Sequence, residues 1–377
     1  MHTRRLLVTG GAGFIGANFV RYWLAAHPED RVVVLDALTY AGNEDSLDGL
    51  AGGRFRFVQG DIADQPLVED LMIGERIDTV VHFAAESHVD RSIDGPGAFI
   101  DANVVGTQRL LEAARTVWLL GPLPAGARFH HVSTDEVYGS LAPGEAPFTE
   151  ATPFAPNSPY AASKAAADHL VRAYHRTYDL PATISHCSNN YGPYQFPEKL
   201  VALMITHVLQ GRPLPVYGDG GNVRDWLYVE DHCRALDAVL GRGRPGQTYD
   251  IGGRTERDNL SIVRTLCERV DRLFREEPGL SRRFPAAPPA HGHPSESLLS
   301  FVADRPGHDR RYAIEPAKIS AELGFEPRVS FEEGIDRTVR WYVDNVAWWS
   351  RVQDGSYRRQ LTVGPPTDRE NARTAAS

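Results

Sequence analysis

The sequence predicts an α/β protein: a doubly wound parallel sheet with a smaller C-terminal α/β unit. Three observations predict it. Short β-branched runs alternate with helical patterns through the first half of the chain. A glycine-rich turn, Thr9-Gly10-Gly11-Ala12-Gly13-Phe14-Ile15-Gly16, joins the first run to the first helix. The second run closes on an acid, Asp36. Strands that alternate with helices require right-handed crossovers, and these stack into a parallel sheet covered on both faces, the Rossmann arrangement.

Each element follows from local pattern. Arg5–Thr9 is a short apolar strand, and Phe14–Ala26 has helical spacing with Phe14, Ile15, Phe19 and Tyr22-Trp23 available to one face. Residues 31–35 read as a buried strand, as do 55–58 and 79–83. Helical patterns cover 67–73 and 99–118, then come a strand at 129–134, a helix at 160–178 and a strand at 182–186. Beyond Cys187 the rhythm loosens. Helices are expected at 198–210 and 231–240, extended segments at Leu214–Tyr217, 225–229 and Thr248–Ile251, and further helices at 316–323 and 331–349. Residues 276–297, rich in proline, histidine and serine, read as a surface loop. The expected organisation is a dinucleotide-binding unit at 1–187 plus about 229–256, a substrate-binding unit at 188–228 and 257–360, and a disordered tail at 364–377.

Composition narrows the function classes. The 377 residues are 42% hydrophobic and 24% charged, ordinary for a globular chain of one large domain or two. A net charge of −9 disfavours a nucleic-acid surface but permits a local anion site built from arginine and backbone N–H groups. No apolar run approaches the ~20 residues that span a bilayer, and no signal peptide is evident, so the expected location is cytoplasmic, away from membranes. Three scattered cysteines, Cys187, Cys233 and Cys267, fit a reducing compartment without disulfides. No metal site is expected.

The spacing of Gly10, Gly13 and Gly16 after a strand and at the opening of a helix suits a pyrophosphate. Glycine lets the backbone approach, and the helix start offers N–H donors. Asp36, about 20 residues beyond, is where an acid bonds a ribose and disfavours a 2′-phosphate, so NAD is preferred to NADP. Asp61-Ile62 follows the third strand and is expected near the adenine.

Tyr160 and Lys164 lie four apart on one helix face, and an ammonium beside a phenol favours the phenolate. Thr134 adds a hydroxyl at a strand's C-terminal end, the ligand edge of such sheets. Asp135 and Glu136 follow it directly. Loss of water from a sugar needs a base next to a carbonyl and an acid at the leaving hydroxyl, and two carboxyls in different surroundings divide those roles. Neighbouring carboxylates are commonly a solvated turn, and this turn must bend to aim both inward.

These residues, together with the blocks Asp36–Asn43, His82–Ile93, Ser188–Leu200, Arg224–His232 and Asp304–Tyr312, resemble the nucleoside-diphosphate-sugar branch of the extended short-chain dehydrogenases, and within it the sugar-nucleotide 4,6-dehydratases. The resemblance runs from about Arg4 to Tyr357. It implies NAD as cofactor, dTDP-glucose as substrate and a homodimer formed through the helices at 99–118 and 160–178. It implies a catalytic set of Thr134, Asp135, Glu136, Tyr160 and Lys164, with Tyr160 taking the C4 hydroxyl proton, Glu136 the C5 proton, and Asp135 protonating the C6 hydroxyl. Cofactor contacts are implied at Gly10, Gly13, Phe14, Ile15, Gly16, Asp36, Asp61, Ile62, Ala84, Tyr160 and Lys164. Ser87 and Asn190 are implied near the glucose or first phosphate, Glu198, Lys199 and Leu200 towards the hexose and nucleotide side, Tyr217 near the base, and Arg224, Asn259, Arg305 and His308 around the diphosphate and deoxyribose. Asn103 is expected to support the nicotinamide pocket. A 4-epimerase, a dehydratase acting on UDP- or CDP-glucose, and a silent NAD-binding sensor stay open as alternatives.

Overall fold

The computed structural model describes residues 3–50 and 52–358, so the tail expected at 364–377 lies outside the described residues. The strands among them are β1 (Arg5–Thr9), β2 (Arg31–Asp36), β3 (Phe55–Gln59), β4 (Thr79–His82), β5 (Arg128–Thr134), β6 (Ala182–Cys187), β7 (Asn189–Tyr191), β8 (Leu214–Tyr217), β9 (Val223–Tyr228), β10 (Thr248–Ile251), β11 (Glu256–Asp258) and β12 (Leu299–Val302). Seven form one sheet in the order β10-β6-β5-β4-β1-β2-β3, every pair parallel. The fold class is as the sequence predicts.

β1 and β2 read as near-continuous apolar runs because both faces of the sheet are covered. Along β1, Leu6 and Val8 turn to one face, where Phe19 and Trp23 of the helix Phe14–Ala26 and Leu236 of Val229–Arg242 bury them. Leu7 turns to the other, against Val68 of Gln65–Gly74, Leu110 of Thr107–Ala114 and Val171 of Pro159–Tyr178. The chain leaves β1 towards β2 on one side and returns at β4 on the other. A crevice therefore opens over the carboxyl ends of these strands, the place such sheets bind ligands.

A third core, from Tyr191 to Tyr357, gathers the helices Leu200–Gln210, Asn259–Glu276 and Phe331–Asp344 over two small sheets, β11-β9-β7 and β12-β8.

Several local expectations are corrected. The segment 276–297 is not a plain surface loop: Leu280, Phe284 and Ala287 are buried in the third core, because an apolar residue every three or four positions gives short helical turns an inner side. The helix expected from 198 starts at Leu200. Lys199 stays extended as its N-cap and sends Nζ to the Ser87 carbonyl at 3.0 Å. The helix expected through 349 breaks at Asn345, whose side chain donates back to the Trp341 carbonyl at 2.8 Å. The pattern at 99–118 is helical but widens into π turns at Ile100–Gly106 and Arg115–Leu119.

Candidate active site

A cavity of about 350 Å³ lies over the carboxyl ends of β1, β2, β4, β5 and β6. At one end are Gly10, Gly13, Phe14, Ile15 and Gly16. Gly10 sits at φ 69°, and a Cβ there would come within 2.5 Å of the Ala84 nitrogen, so only glycine closes this turn. Gly13 caps the helix Phe14–Ala26 with no side-chain hydrogen bond, which leaves the helix's first N–H groups to the cavity. Asp36 accepts from the Ala12 and Leu38 backbone N–H groups, both at 2.9 Å, so the acid also fixes the glycine turn. Burial raises its pKa and those two bonds oppose the rise. Its unused lone pairs suit a ribose hydroxyl. Asp61, Ile62 and Ala84 complete this end. Uncapped helix N–H groups, a glycine turn and a buried ribose-type acid together fit a dinucleotide.

At the other end the 3₁₀ turn Asp135–Tyr138 does the bending that the two carboxyls require. The Thr134 hydroxyl accepts from the Glu136 N–H at 3.3 Å and lies 3.4 Å from Asp135 Oδ1. Asp135 is 2% exposed and its Oδ2 has no partner. Burial, then the neighbouring Glu136 and Asp225, hold its pKa well above the carboxylate range. Glu136 is raised by burial too, but Arg224, Arg305 and Lys199 all oppose the rise. The two adjacent acids thus occupy unlike fields, one short of donors and one ringed by cations.

Tyr160 and Lys164 line the same cavity. The expectation that Lys164 lowers the phenol is not met. Burial, followed by the charge of Glu136, holds Tyr160 well above its usual value, against a hydrogen bond with Thr134. The physical reason is that Lys164 Nζ is spent elsewhere, donating to the Val132 carbonyl at 2.9 Å and standing 3.4 Å from His131 Nε2. Burial brings Lys164 itself down to about 8.

Of the residues expected to hold substrate, Ser87, Asn190, Glu198 and Lys199 line the cavity. Leu200, Tyr217, Arg224, Asn259, Arg305 and His308 do not. Arg224 is nonetheless next to the chemistry: it is 5% exposed, stacked 4.3 Å over the Tyr312 ring, and its charge acts on both Asp135 and Glu136. Arg305 is paired with Asp90 at 2.9 Å, and His308 meets the exposed Tyr217 ring edge-on at 6.2 Å. Asn259 opens its helix with its N–H on the Asn222 carbonyl at 3.0 Å, and Leu200 packs against the third core. Asn103 braces the pocket. Its amide clamps both backbone groups of Glu86, at 2.8 and 2.9 Å, and donates to Ser163 at 2.8 Å.

Sequence reasoning passed over Tyr40, Glu86, Ser133, Cys187, Ser188 and Gln195, all on the cavity wall. Tyr40, Glu86, Ser188 and Gln195 fall within the blocks Asp36–Asn43, His82–Ile93 and Ser188–Leu200, which is the signal that points to them, whereas Cys187 is legible only as a small buried residue.

A protein-family model described as GDP-mannose 4,6 dehydratase matches residues 7–338. The chain is 56% identical to the dTDP-glucose 4,6-dehydratase of Xanthomonas campestris pv. campestris (strain B100), over 93% of this chain and 97% of that one. It is 50% identical to the enzyme of the same name from Escherichia coli, over 94% and 97%. Among solved structures it is similar to the dTDP-glucose 4,6-dehydratase of Streptomyces venezuelae with NAD bound, at TM-score 0.80 and 49% identity over 92% of this chain and 99% of that one. The NAD complex of Thermus thermophilus UDP-glucose 4-epimerase is more distant, at TM-score 0.74 and 31% identity over 90% and 98%. The chain belongs to the GDP-mannose 4,6 dehydratase family.

Proposed function

We infer that the chain is an NAD-dependent hydro-lyase that converts dTDP-glucose into dTDP-4-keto-6-deoxyglucose. One observation carries the reading beyond the fold: Asp135 and Glu136 stand at the sugar end of a dinucleotide cavity in opposed electrostatic surroundings. An epimerase has no use for such a pair. A dehydratase needs one acid kept protonated and one kept available as a base.

The glycine turn and Asp36 would hold NAD, which supplies a place for the C4 hydride and returns it to C6. Tyr160 accepts the C4 hydroxyl proton as the phenolate, so its buried phenol must ionise before oxidation begins. The C4 ketone acidifies C5–H, and Glu136, whose three cationic neighbours favour the carboxylate against burial, removes that proton. Asp135, held protonated by burial, gives its proton to the C6 hydroxyl, which departs as water. Glu136 then returns its proton to C5. Over one turnover Tyr160 gains a proton and Asp135 loses one, and Thr134, bonded to the phenol and 3.4 Å from Asp135, joins the two.

The dinucleotide would sit on residues 1–187 with about 229–256, and the sugar nucleotide on 188–228 and 257–360. Lys199, Arg224 and Arg305, whose charges converge on Glu136, suit the substrate's phosphates. A homodimer is supported by Ile100, Val105 and Tyr178, which stand 47%, 42% and 42% exposed on the helical stretches named for it. No helix among the described residues is long and apolar enough to cross a membrane, which accords with a cytoplasmic enzyme.

The reading is tested by incubating purified protein with dTDP-glucose and, separately, UDP-, CDP- and GDP-sugars, then assaying the 4-keto-6-deoxy product by alkaline absorbance and by mass loss of one water. Product from dTDP-glucose alone is expected. Turnover without water loss would replace the dehydratase by an epimerase. No turnover despite bound NAD would leave a silent binder.

A further inference from the structure

Beneath the site runs a buried polar chain that starts at Tyr160 and continues through groups to which the mechanism above gives no role. Tyr160, Lys164 and Asp168 follow one another at four-residue steps on the inner face of the helix Pro159–Tyr178, all buried. Asp168 faces histidines from two adjacent strands. Its Oδ2 accepts from Ser133 Oγ at 3.0 Å and pairs with His186 Nε2 at 2.9 Å. Its Oδ1 has no hydrogen-bond partner and points at His131 Nε2, 3.4 Å away. His186 is in turn held by Asp250 at 3.0 Å and Tyr138 at 2.7 Å, so the ring and carboxylate are fixed from behind.

The His131 ring therefore stands between the Lys164 ammonium and the Asp168 carboxylate, and one nitrogen, Nε2, faces both at 3.4 Å. Two neutral tautomers compete. With the proton on Nδ1, a bare Nε2 faces a carboxylate oxygen, lone pair to lone pair, and the Nδ1–H is a buried donor with no partner. With the proton on Nε2, Asp168 Oδ1 gains its donor and only an Nδ1 acceptor stays unpaired. A buried unpaired donor and a repelled carboxylate cost more than one unpaired acceptor.

We propose that Asp168 and His131 are positioning residues for Lys164: the carboxylate locks the imidazole with its proton on Nε2, which denies the lysine a nitrogen acceptor and reserves its remaining N–H groups for the cavity. The role rests on the dehydratase reading for its consequence but not for its geometry. Asp168 also places one negative charge beside an otherwise neutral lining. The groups facing Lys164 are Asp168 from its own helix, His82 from β4, His131 from β5 and Cys187 from β6, with the charged His186 behind Asp168 and Tyr160 one helical turn away on the same cavity wall. His82 and His131 are held neutral by burial, and burial lifts Cys187 to about 12, so Asp168 is the one ionised acid in that shell that favours the ammonium.

Two experiments test it. In the wild-type protein, long-range ¹⁵N spectra of the histidine rings between pH 6 and 8 should show His131 as the Nε2–H tautomer; an Nδ1–H form or an imidazolium overturns the proposal, whatever the enzyme's substrate. In the Asp168→Asn variant, whose amide no longer demands that proton, the alkaline fall of kcat/KM should move about one unit to lower pH while KM for dTDP-glucose holds. An unmoved alkaline limb in a folded, active variant overturns it equally. Should the variant not fold, the wild-type spectrum decides. Absence of product from wild type would sink the function and leave the tautomer measurable.

Discussion

Two aspartates near the end of β5 are equally hidden from water and carry opposite charge states. Asp135 is 2% exposed and Asp168 is 0% exposed. Burial pushes both carboxyls up. Asp135 stays there because the acids around it, Glu136 foremost and then Asp225, add to burial, while Arg224 alone among its charged neighbours opposes the rise and Oδ2 has no partner. Asp168 is brought down below the usual carboxylate value because two histidines and a serine hydroxyl meet it. Desolvation alone therefore does not assign a buried acid its role. The partners do: the unpartnered acid becomes a proton donor at the cavity, and the partnered one becomes fixed charge beneath it.

The largest way to break this contrast is at the cavity. Tyr160→Phe removes the hydroxyl that receives the C4 proton, and turnover should fall by about 10²–10⁴-fold, with no NADH absorbance after substrate is added. Asp135→Asn keeps the shape but loses the acid. C4 oxidation should persist while water loss slows by a similar about 10²–10⁴-fold, so absorbance at the NADH band should build up on the enzyme. Normal turnover in that variant would move the acid's role to another group.

Beneath the cavity the expected effect is on stability. Asp168→Ala takes one of two carboxylates from the charged His186 and leaves it on Asp250 alone, and chemical denaturation should show a loss of about 1–3 kcal/mol. The pH dependence follows the same pair. Burial opposes the charged His186 ring, but Asp168 and Asp250 outweigh it and raise its pKa from 6.5 to about 9. A raised folded value stabilises fully below the unfolded value and is lost as pH rises through the folded one. The melting-temperature gap between wild type and His186→Gln should be widest below pH 6.5 and narrow towards pH 9. A gap that is flat with pH would mean a neutral ring.

The smallest effect is at the rim. Asp90→Ala removes a half-exposed partner of Arg305, and unfolding free energy should change by about 0.2–1 kcal/mol. Its sharper signature is a lower KM for dTDP-glucose, since a freed guanidinium suits a phosphate. An unchanged KM would separate Arg305 from the substrate.

Much of the fold was legible because its causes are local. A parallel strand buried on both faces tends to be apolar along its length, and β1 and β2 announce themselves that way, whereas β5 and β6 bury histidines and hydroxyls among their apolar residues. The small sheets were legible only in part. The extended segments at Leu214–Tyr217 and 225–229 are β8 and most of β9, but β7, β11 and β12 are three or four residues long and carry no periodicity, and the pairings of β7 with β9 and β8 with β12 span stretches of chain that no local pattern connects. The inner turns of 276–297 were masked by proline and arginine around Leu280, Phe284 and Ala287.

The sequence by itself determined the chemistry's parts: a turn only glycine can make, an acid at the end of β2, a hydroxyl and two carboxyls in succession, and a tyrosine and lysine one helical turn apart. These are contiguous or short-range, so spacing alone brings them to one strand end or one helix face. Tertiary structure decided how each part behaves. It brought Arg224, Lys199 and Arg305 to Glu136 and left Asp135 without a cation of its own to that extent. It also turned Lys164 towards Val132 and His131 rather than towards the phenol. A carboxyl's charge depends on desolvation and on the charges within a few ångströms, and those neighbours come from strands and helices tens to hundreds of residues away.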